Sequence, residues 1–351
     1  MRTKDDLRQY QALPLDLKIS LTQRRIRDWV NYYGTNGVYV SFSGGKDSTV
    51  LLHLVRQLYP DVEAVFVNTG LEYPEIQKFV KSFDNVTILR PKMRFDEVIK
   101  KYGYPIISKD VGKTLHEARV ALSRGTSPRI LQKLDGSLKD QYGNRSRYSH
   151  EKWKPLLDAD FHVSDRCCNV MKKNPAKQYE KETGKKPILA TMAYESQLRK
   201  ESWLHYGCNA FDGNRPRSAP MSFWMEQDVL QYIKQHNIPI APVYGDVVYD
   251  TEPEQMRLEE YGIEGCGTEQ LCTTGYTRTG CVFCAFGAHL KKTDHSNFER
   301  LKQTHPRQYE YCIGGGEYDE NGVWKPNKQG LGMGHVFDEL NKIYGDGFIK
   351  Y

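Results

Sequence analysis

Six consecutive residues, Ser43-Gly44-Gly45-Lys46-Asp47-Ser48, carry the densest chemistry in the chain. Two glycines let a backbone close around phosphate oxygens with no Cβ in the way. A helix starting there adds unpaired N–H groups and the positive end of its dipole. Lys46 contributes a point charge, Ser43 and Ser48 contribute hydroxyl donors, and the Asp47 carboxylate suits Mg²⁺ bridging phosphates. The string is not the G-x-x-x-x-G-K-[ST] loop, because Asp47 follows the lysine. A bare Gly-Gly pair would read as a solvated turn. Here an apolar strand precedes the loop and an amphipathic helix follows it, which is the setting of a phosphate cradle.

The second chemical group is sulfur. Cys281-Val282-Phe283-Cys284 has the spacing at which two thiolates point into one concave turn. Cys167-Cys168 is an adjacent pair, and eight residues separate Cys272 from the knuckle. Neighbouring residues project about 100° apart on a helix. That is awkward for two bonds to one tetrahedral zinc and suits two different irons of a cube. Four thiolates would complete a [4Fe–4S] cluster. Structural zinc and reduced core thiols are the other readings. Cys208 and Cys266 are expected to be buried, and Cys312 to be structural.

These groups need elements to hold them. Apolar positions at helical spacing from Leu15 to Val30 predict a leading helix ending near Gly34. Val38–Phe42 reads as a strand, and Leu51, Leu54, Val55 and Leu58 mark one face of the following helix. Val62–Val67 repeats the strand signal, Pro74–Phe83 reads as a helix and Val86–Leu89 as a third strand. Strands alternating with helices imply parallel crossovers and an α/β sheet. Helices are expected over Phe95–Lys101, Lys109–Ser123, Asn174–Thr183, Gln197–His205 and Glu226–His236, with a strand over Ile188–Met192. Phe298–Tyr311 and Val336–Tyr344 read as closing helices. Residues 241–292, rich in Gly, Thr and Cys, are expected to be irregular and organised by a ligand.

The domain reading is a helical cap over 1–36, a nucleotide-binding α/β domain over 37–240 with a polar insertion at about 124–162, and a cysteine-rich, cluster-binding and helical region over 241–351. The 351 residues carry 39% hydrophobic and 27% charged side chains, with mean hydropathy −0.67, and no apolar stretch approaches the ~18 residues of a membrane span. The N-terminus lacks an apolar signal core, so a reducing, cytoplasmic location is expected, with free or metal-bound thiols. The formal charge of +6 is mild and suits an anionic ligand. Basic stripes at Arg124–Lys139 and Arg145–Lys154 read first as solvated loop and second as a nucleic-acid surface.

The Ser43–Ser48 loop resembles the PP-loop of the ATP pyrophosphatase superfamily, and further motifs in the same order resemble its phosphoadenosine phosphosulfate (PAPS) reductase-like branch. Asn68-Thr69-Gly70, after the second strand, is similar to that branch's strand-end segment. Met192-Ala193-Tyr194-Glu195-Ser196 with Arg199 resembles its later strand-end motif, and Ser222–Val229 with Pro242-Val243-Tyr244 resembles its closing segment. The resemblance covers roughly residues 38–290. It implies a Rossmann-like parallel sheet flanked by helices, with a PP-loop binding ATP or an adenylyl sulfate with Mg²⁺. Asn68, Thr69 and Gly70 would then lie on the nucleoside side, and Glu195, Ser196 and Arg199 would face the acceptor.

The Cys-Cys and Cys-x-x-Cys pattern resembles iron–sulfur adenosine phosphosulfate (APS) reductases. The Cys272-x8-Cys281-x2-Cys284 spacing resembles the PP-loop enzyme of DNA phosphorothioation systems. The first resemblance implies Cys167, Cys168, Cys281 and Cys284 as cluster ligands, and the second puts Cys272 in place of Cys167. Reductases of this branch carry a nucleophilic cysteine in a C-terminal Glu-Cys-Gly-Leu-His segment, whereas this chain ends Asp346-Gly347-Phe348-Ile349-Lys350-Tyr351. The expectation is therefore ATP-dependent activation, to AMP and pyrophosphate, coupled to sulfur transfer beside a cluster. Reduction of an adenylyl sulfate is the second reading, and a nucleic-acid-binding role in a sulfur-modification or defence system the third. Expected partners are an adenine nucleotide, with a sulfur-donor protein, nucleic acid and a second copy of the chain compatible with the sequence, and no membrane.

Overall fold

The β-branched and aromatic run Val38-Tyr39-Val40 is buried on both faces, as a central parallel strand requires. The computed structural model describes residues 2–125, 128–213, 215–250, 270–290 and 296–351. Its first ten strands in chain order are β1 (Val38–Ser41), β2 (Ala64–Val67), β3 (Val86–Leu89), β4 (Ile106–Ile107), β5 (Lys186–Ile188), β6 (Asn209–Ala210), β7 (Arg217–Ser218), β8 (Val247–Asp250), β9 (Gln270–Thr273) and β10 (Ala285–Phe286). The main sheet has the order β3-β2-β1-β5-β7-β6. Every pair in it is parallel except β6 with β7. This is the α/β fold with a mostly parallel, helix-flanked sheet that the sequence predicts.

The chain divides into two compact units. The first comprises Met1–Asn68, Glu72–Leu89 and Ala176–Thr279, and the second Thr69–Leu71, Arg90–Pro175 and Gly280–Tyr351. In the first unit the helix Leu15–Tyr33 buries Ile26, Trp29 and Val30. It is tied to a distant stretch of the same unit by Lys18 Nζ, which donates to Asp228 Oδ2 at 2.6 Å, and by Trp224 Nε1, which donates to Thr22 Oγ1 at 2.8 Å. The helix Lys46–Leu58 follows β1 directly and packs against Leu15–Tyr33 and Glu226–Gln235. It buries Val50, Leu51, Leu54 and Val55.

Several elements differ from the sequence reading. The strand expected over Ile188–Met192 lies at Lys186–Ile188, because its ladder to β1 pairs Lys186, Pro187 and Ile188 and its ladder to β7 pairs only Ile188 with Ser218. Beyond that register Ala193–Glu195 turns into a 3₁₀ helix. Residues 241–292 are not wholly irregular: β8 pairs antiparallel with β9, and β10 pairs with β4 in the second unit. The closing helix expected over Phe298–Tyr311 is two helices, Asn297–Thr304 and Pro306–Ile313, since Pro306 disfavours helical geometry at His305. The polar insertion holds a helix at Pro128–Asp135 and a 3₁₀ segment at Glu151–Leu157. None of the seven cysteines among the described residues forms a disulfide. Cys266 lies outside the described residues.

Candidate functional site

In the first unit the polypeptide leaves β1, turns through Ser43–Gly45 and enters the helix Lys46–Leu58. Gly44 has φ +71°, and a Cβ there would meet Val80 Cγ2 at 2.7 Å and Ile76 Cγ2 at 2.9 Å. Only glycine fits this turn. Gly45 begins the helix with no side-chain cap, so the first-turn amide groups face outward with the dipole, as an anion site requires. The hydroxyls of Ser43 and Ser48 are 3.0 Å apart, and Ser48 Oγ donates to Gly45 O at 2.9 Å. Ser48 is buried while Ser43 is exposed. Ser48 thus shapes the loop, and Ser43 is the hydroxyl within reach of a ligand.

Lys46 is 3% exposed. Its Nζ donates to Glu226 Oε1 at 2.6 Å and to Thr277 O at 2.5 Å, and lies 5.8 Å from the centre of the Tyr244 ring. Asp47 is half-buried, and among the described residues its carboxylate accepts no hydrogen bond. Burial pushes it above the usual carboxylate range, against the pull of Lys46, Arg278 and Arg199. A desolvated carboxylate without a partner is a fitting ligand for a hard divalent cation, so the residues present fit Mg²⁺ at Asp47.

A second cluster stands in the same unit. Arg199 forms an ion pair with Glu195, Arg278 lies 3.6 Å from the same carboxylate, and Arg278 donates to the Tyr194 hydroxyl at 3.2 Å. Burial, then the neighbouring Arg278 charge, lowers the Arg199 pKa. Ser196, expected to face an acceptor, caps the helix Gln197–Tyr206 by accepting from Arg199 N at 3.3 Å. Glu195 and Arg199 are brought together, and Arg199 and Arg278 each pull the Asp47 pKa down, as Lys46 does. The Asn68-Thr69-Gly70 segment divides between the units: Asn68 N donates to Leu89 O at 2.9 Å in the first, while Thr69–Leu71 belongs to the second. There Val282 N, within the cysteine knuckle, donates to Leu71 O at 2.8 Å.

Glu226, Thr277 and Arg278 are site residues that the sequence reading did not assign. The strap carrying the last two is knitted onto the Pro242–Tyr244 turn: Gly275 N donates to Tyr244 O at 2.8 Å and Tyr276 N to Val243 O at 3.0 Å. A Cβ on Gly275 would meet Val243 O at 2.4 Å, so glycine permits this approach. Tyr244 OH and Thr279 Oγ1 are 2.5 Å apart. Gln227 holds the incoming strand by two bonds to Leu271, at 2.9 and 2.8 Å. The available signal was the run Thr273-Thr274-Gly275-Tyr276-Thr277-Arg278-Thr279, one arginine among small turn-forming residues.

The thiols Cys167, Cys168, Cys281 and Cys284 all lie in the second unit and act electrostatically on one another. A hydrogen bond from Cys167, with Lys109, Lys172 and Lys173 nearby, lowers the Cys168 pKa, and the same bond with burial raises that of Cys167. Burial pushes Cys284 up to about 11, and its N–H donates to Cys281 O at 3.0 Å, closing the knuckle. Among the described residues no three such side chains are gathered to ligating distance. The donor chemistry nevertheless suits an iron–sulfur cluster: four thiols close enough to act on one another electrostatically, with three lysines acting on Cys168 whose charge would offset that of a thiolate-ligated cube. Cys272 is in the other unit, on β9 opposite Val248.

Residues 37–124 and 129–286 match the family model described as the phosphoadenosine phosphosulfate reductase domain. The chain is 27% identical to sulfate adenylyltransferase subunit 2 of Agrobacterium fabrum over 58% of its own length and 56% of that protein. It is 24% identical to adenosine 5'-phosphosulfate reductase of Staphylococcus haemolyticus over 61% of its length and 68% of the relative. The chain thus spans little more than half the length of the adenylyltransferase subunits it matches. Among solved structures it resembles phosphoadenylyl-sulfate reductase from Candida auris with a TM-score of 0.37 and 14% identity, covering 69% of this chain and 91% of that one.

Proposed function

The chain belongs to the phosphoadenosine phosphosulfate reductase domain family, and from that premise we propose that it binds ATP·Mg²⁺, activates an acceptor oxygen by adenylation with release of pyrophosphate, and couples this to sulfur transfer with a [4Fe–4S] cluster. The observation that carries the reading is the uncapped start of the Lys46–Leu58 helix, headed by a glycine turn and a buried lysine. The first-turn amides and Ser43 would receive phosphate oxygens. Lys46 would meet the charge that grows on the leaving pyrophosphate, which is the main catalytic task in nucleotidyl transfer. Asp47 would hold the metal ion, and Arg199 and Arg278 would orient an anionic group of the acceptor. Cys167, Cys168, Cys281 and Cys284 would hold the cluster, whose contribution when bound is a site for activating or relaying sulfur.

The buried thiol of Cys312 and the half-buried thiol of Cys208, which the sequence reading expected to be buried, favour this reading over reduction of an adenylyl sulfate. Cys312 is 0% exposed, 3.5 Å from Met333 Sδ, and burial raises its pKa. Burial also raises Cys208. A thiol held neutral and enclosed is a poor nucleophile. No helix among the described residues is long and apolar enough to cross a membrane.

The test is purification without oxygen, a visible spectrum, and assay of AMP and pyrophosphate from ATP. The wild-type protein should be coloured and release both products, Lys46→Ala should lose product release, and Cys284→Ser should lose colour. Intact turnover in Lys46→Ala would sink the loop assignment, and an iron-free wild type the cluster. Sulfite release from an adenylyl sulfate, abolished by Cys312→Ser, would establish the reductase reading instead.

A further inference from the structure

The second unit holds an open cleft of 780 Å³ lined by Arg129, Lys133, Lys139, Tyr142, Arg145 and Arg147, with Tyr148 at its side. Residues 124–154 contain eight lysines and arginines against three acids. Nearly all of the chain's excess charge of +6 is therefore concentrated in 31 residues. A solvated face mixes its signs; a single-sign field of this density is a steering surface for a polyanion.

The acids in this stretch are consumed locally. Asp140 Oδ1 accepts from the backbone of Tyr142 and Asn144, at 2.9 Å each, and Asp135 Oδ1 accepts from Ser137 N at 2.8 Å and Ser137 Oγ at 2.6 Å. Glu151 pairs with Arg145. Arg129, Lys139 and Arg147 have no ion pair among the described residues and are exposed. Two aromatic rings stand beside them in solvent, Tyr142 at 78% and Tyr148 at 57% exposure, with the Arg147 guanidinium 5.0 Å from the centre of the Tyr148 ring. The segment is built, not loose. Lys139 bridges Arg145 across the turn, and Asp110 receives Lys133 Nζ at 3.0 Å and His150 Nε2 at 2.8 Å, pinning both ends to the helix Lys109–Arg124. Lys109, which begins that helix, is one of the lysines acting on Cys168 and Cys284.

We infer that this cleft binds a single-stranded polynucleotide, its phosphates on Arg129, Lys139 and Arg147 and its bases stacked on Tyr142 and Tyr148. Cations without an acidic partner beside exposed rings are what a strand with unstacked bases requires, and a duplex offers such rings no base faces. The inference stands on the second unit alone and does not depend on ATP chemistry in the first.

The test is fluorescence anisotropy of the full-length protein with labelled 12-nucleotide RNA and DNA strands and a 12-base-pair duplex, without ATP, over a range of salt. Either single strand should bind in preference to the duplex, with affinity falling steeply as salt rises. The triple variant Arg129→Ala, Lys139→Ala, Arg147→Ala should lower the log–log salt slope by about two. Tyr142→Ala should weaken binding about five- to a hundredfold and Tyr142→Phe should restore it, since stacking needs the ring and not the hydroxyl. A preference for RNA or for DNA would identify the source of the strand, and both support the inference. No binding at low salt, duplex preferred, or full competition by AMP would overturn it. Lys46→Ala should bind the strand unchanged, so failure of the adenylation reading registers separately.

Discussion

Lys46 Nζ lies 2.6 Å from Glu226 Oε1, an ion pair in which the lysine is buried and the carboxylate is partly exposed. The loop's one cation is thus neutralised by the first residue of the helix Glu226–Gln235, and a triphosphate bound as proposed would share or displace that carboxylate. Glu226→Gln should tighten ATP binding on the order of tenfold, because a like charge beside the phosphates is removed. Lys46→Ala should lower turnover about 10²- to 10³-fold. Calorimetric titration and initial rates read the two effects, and weaker ATP binding by Glu226→Gln would refute the account.

Asp47 gives a pH dependence of defined sign. Burial raises its pKa in the folded protein, so in the window between the ordinary carboxylate value and the raised one the folded state holds more protons than the unfolded chain. Stability contributed by this group is therefore greatest on the acid side and is lost as pH rises through the folded pKa. In the nucleotide-free protein, Asp47→Asn should raise the melting temperature at neutral pH and flatten its decline with pH. The same substitution should cut Mg²⁺-dependent turnover about a hundredfold. A lowered neutral-pH melting temperature would mean that the carboxylate is paired in solution.

Gly44 and Gly70 share a left-handed conformation, at φ +71° and +76°, but only Gly44 has side chains against the missing Cβ; nothing lies within 4 Å at Gly70. Gly44→Ala should cost about 3 kcal/mol, combining backbone strain with overpacking against Val80 and Ile76. Gly70→Ala should cost about 1–2 kcal/mol from the backbone alone. Urea unfolding measures both, and equal losses would contradict the packing argument.

The thiols separate by unit. Reconstitution without oxygen should give about four irons per chain, with loss of iron in Cys167→Ser, Cys168→Ser, Cys281→Ser and Cys284→Ser and full content in Cys272→Ser. Iron lost in Cys272→Ser and retained in Cys167→Ser would reverse the choice of fourth ligand. A colourless protein with about one zinc per chain would replace the cluster with a structural metal.

Local pattern made much of the fold legible. The run Val38-Tyr39-Val40 followed by two glycines and the spaced leucines of the next helix could be read as strand, turn and helix, because each rests on neighbours a few residues away. The same holds for Pro74–Lys81 and Val86–Leu89. Short strands were harder. β8 and β9 are four residues each and find each other across a long connection, and no alternation inside either one announces its partner. The break at His305-Pro306 was written in the sequence and overridden by the apolar periodicity on both sides of it.

By itself the sequence determined the glycine loop Ser43–Ser48, the knuckle Cys281–Cys284 and the parallel strands on either side of that loop, since those depend on residue type and near spacing. Tertiary structure alone decided that Glu226, 180 residues away, holds Lys46, that Arg278 joins Arg199 at Glu195, and that Cys167 and Cys168 fall in one unit with the knuckle and feel its thiols while Cys272 falls in the other. Charge pairing and desolvation act through space, and chain order does not encode which distant side chains the sheet and its crossovers will bring together.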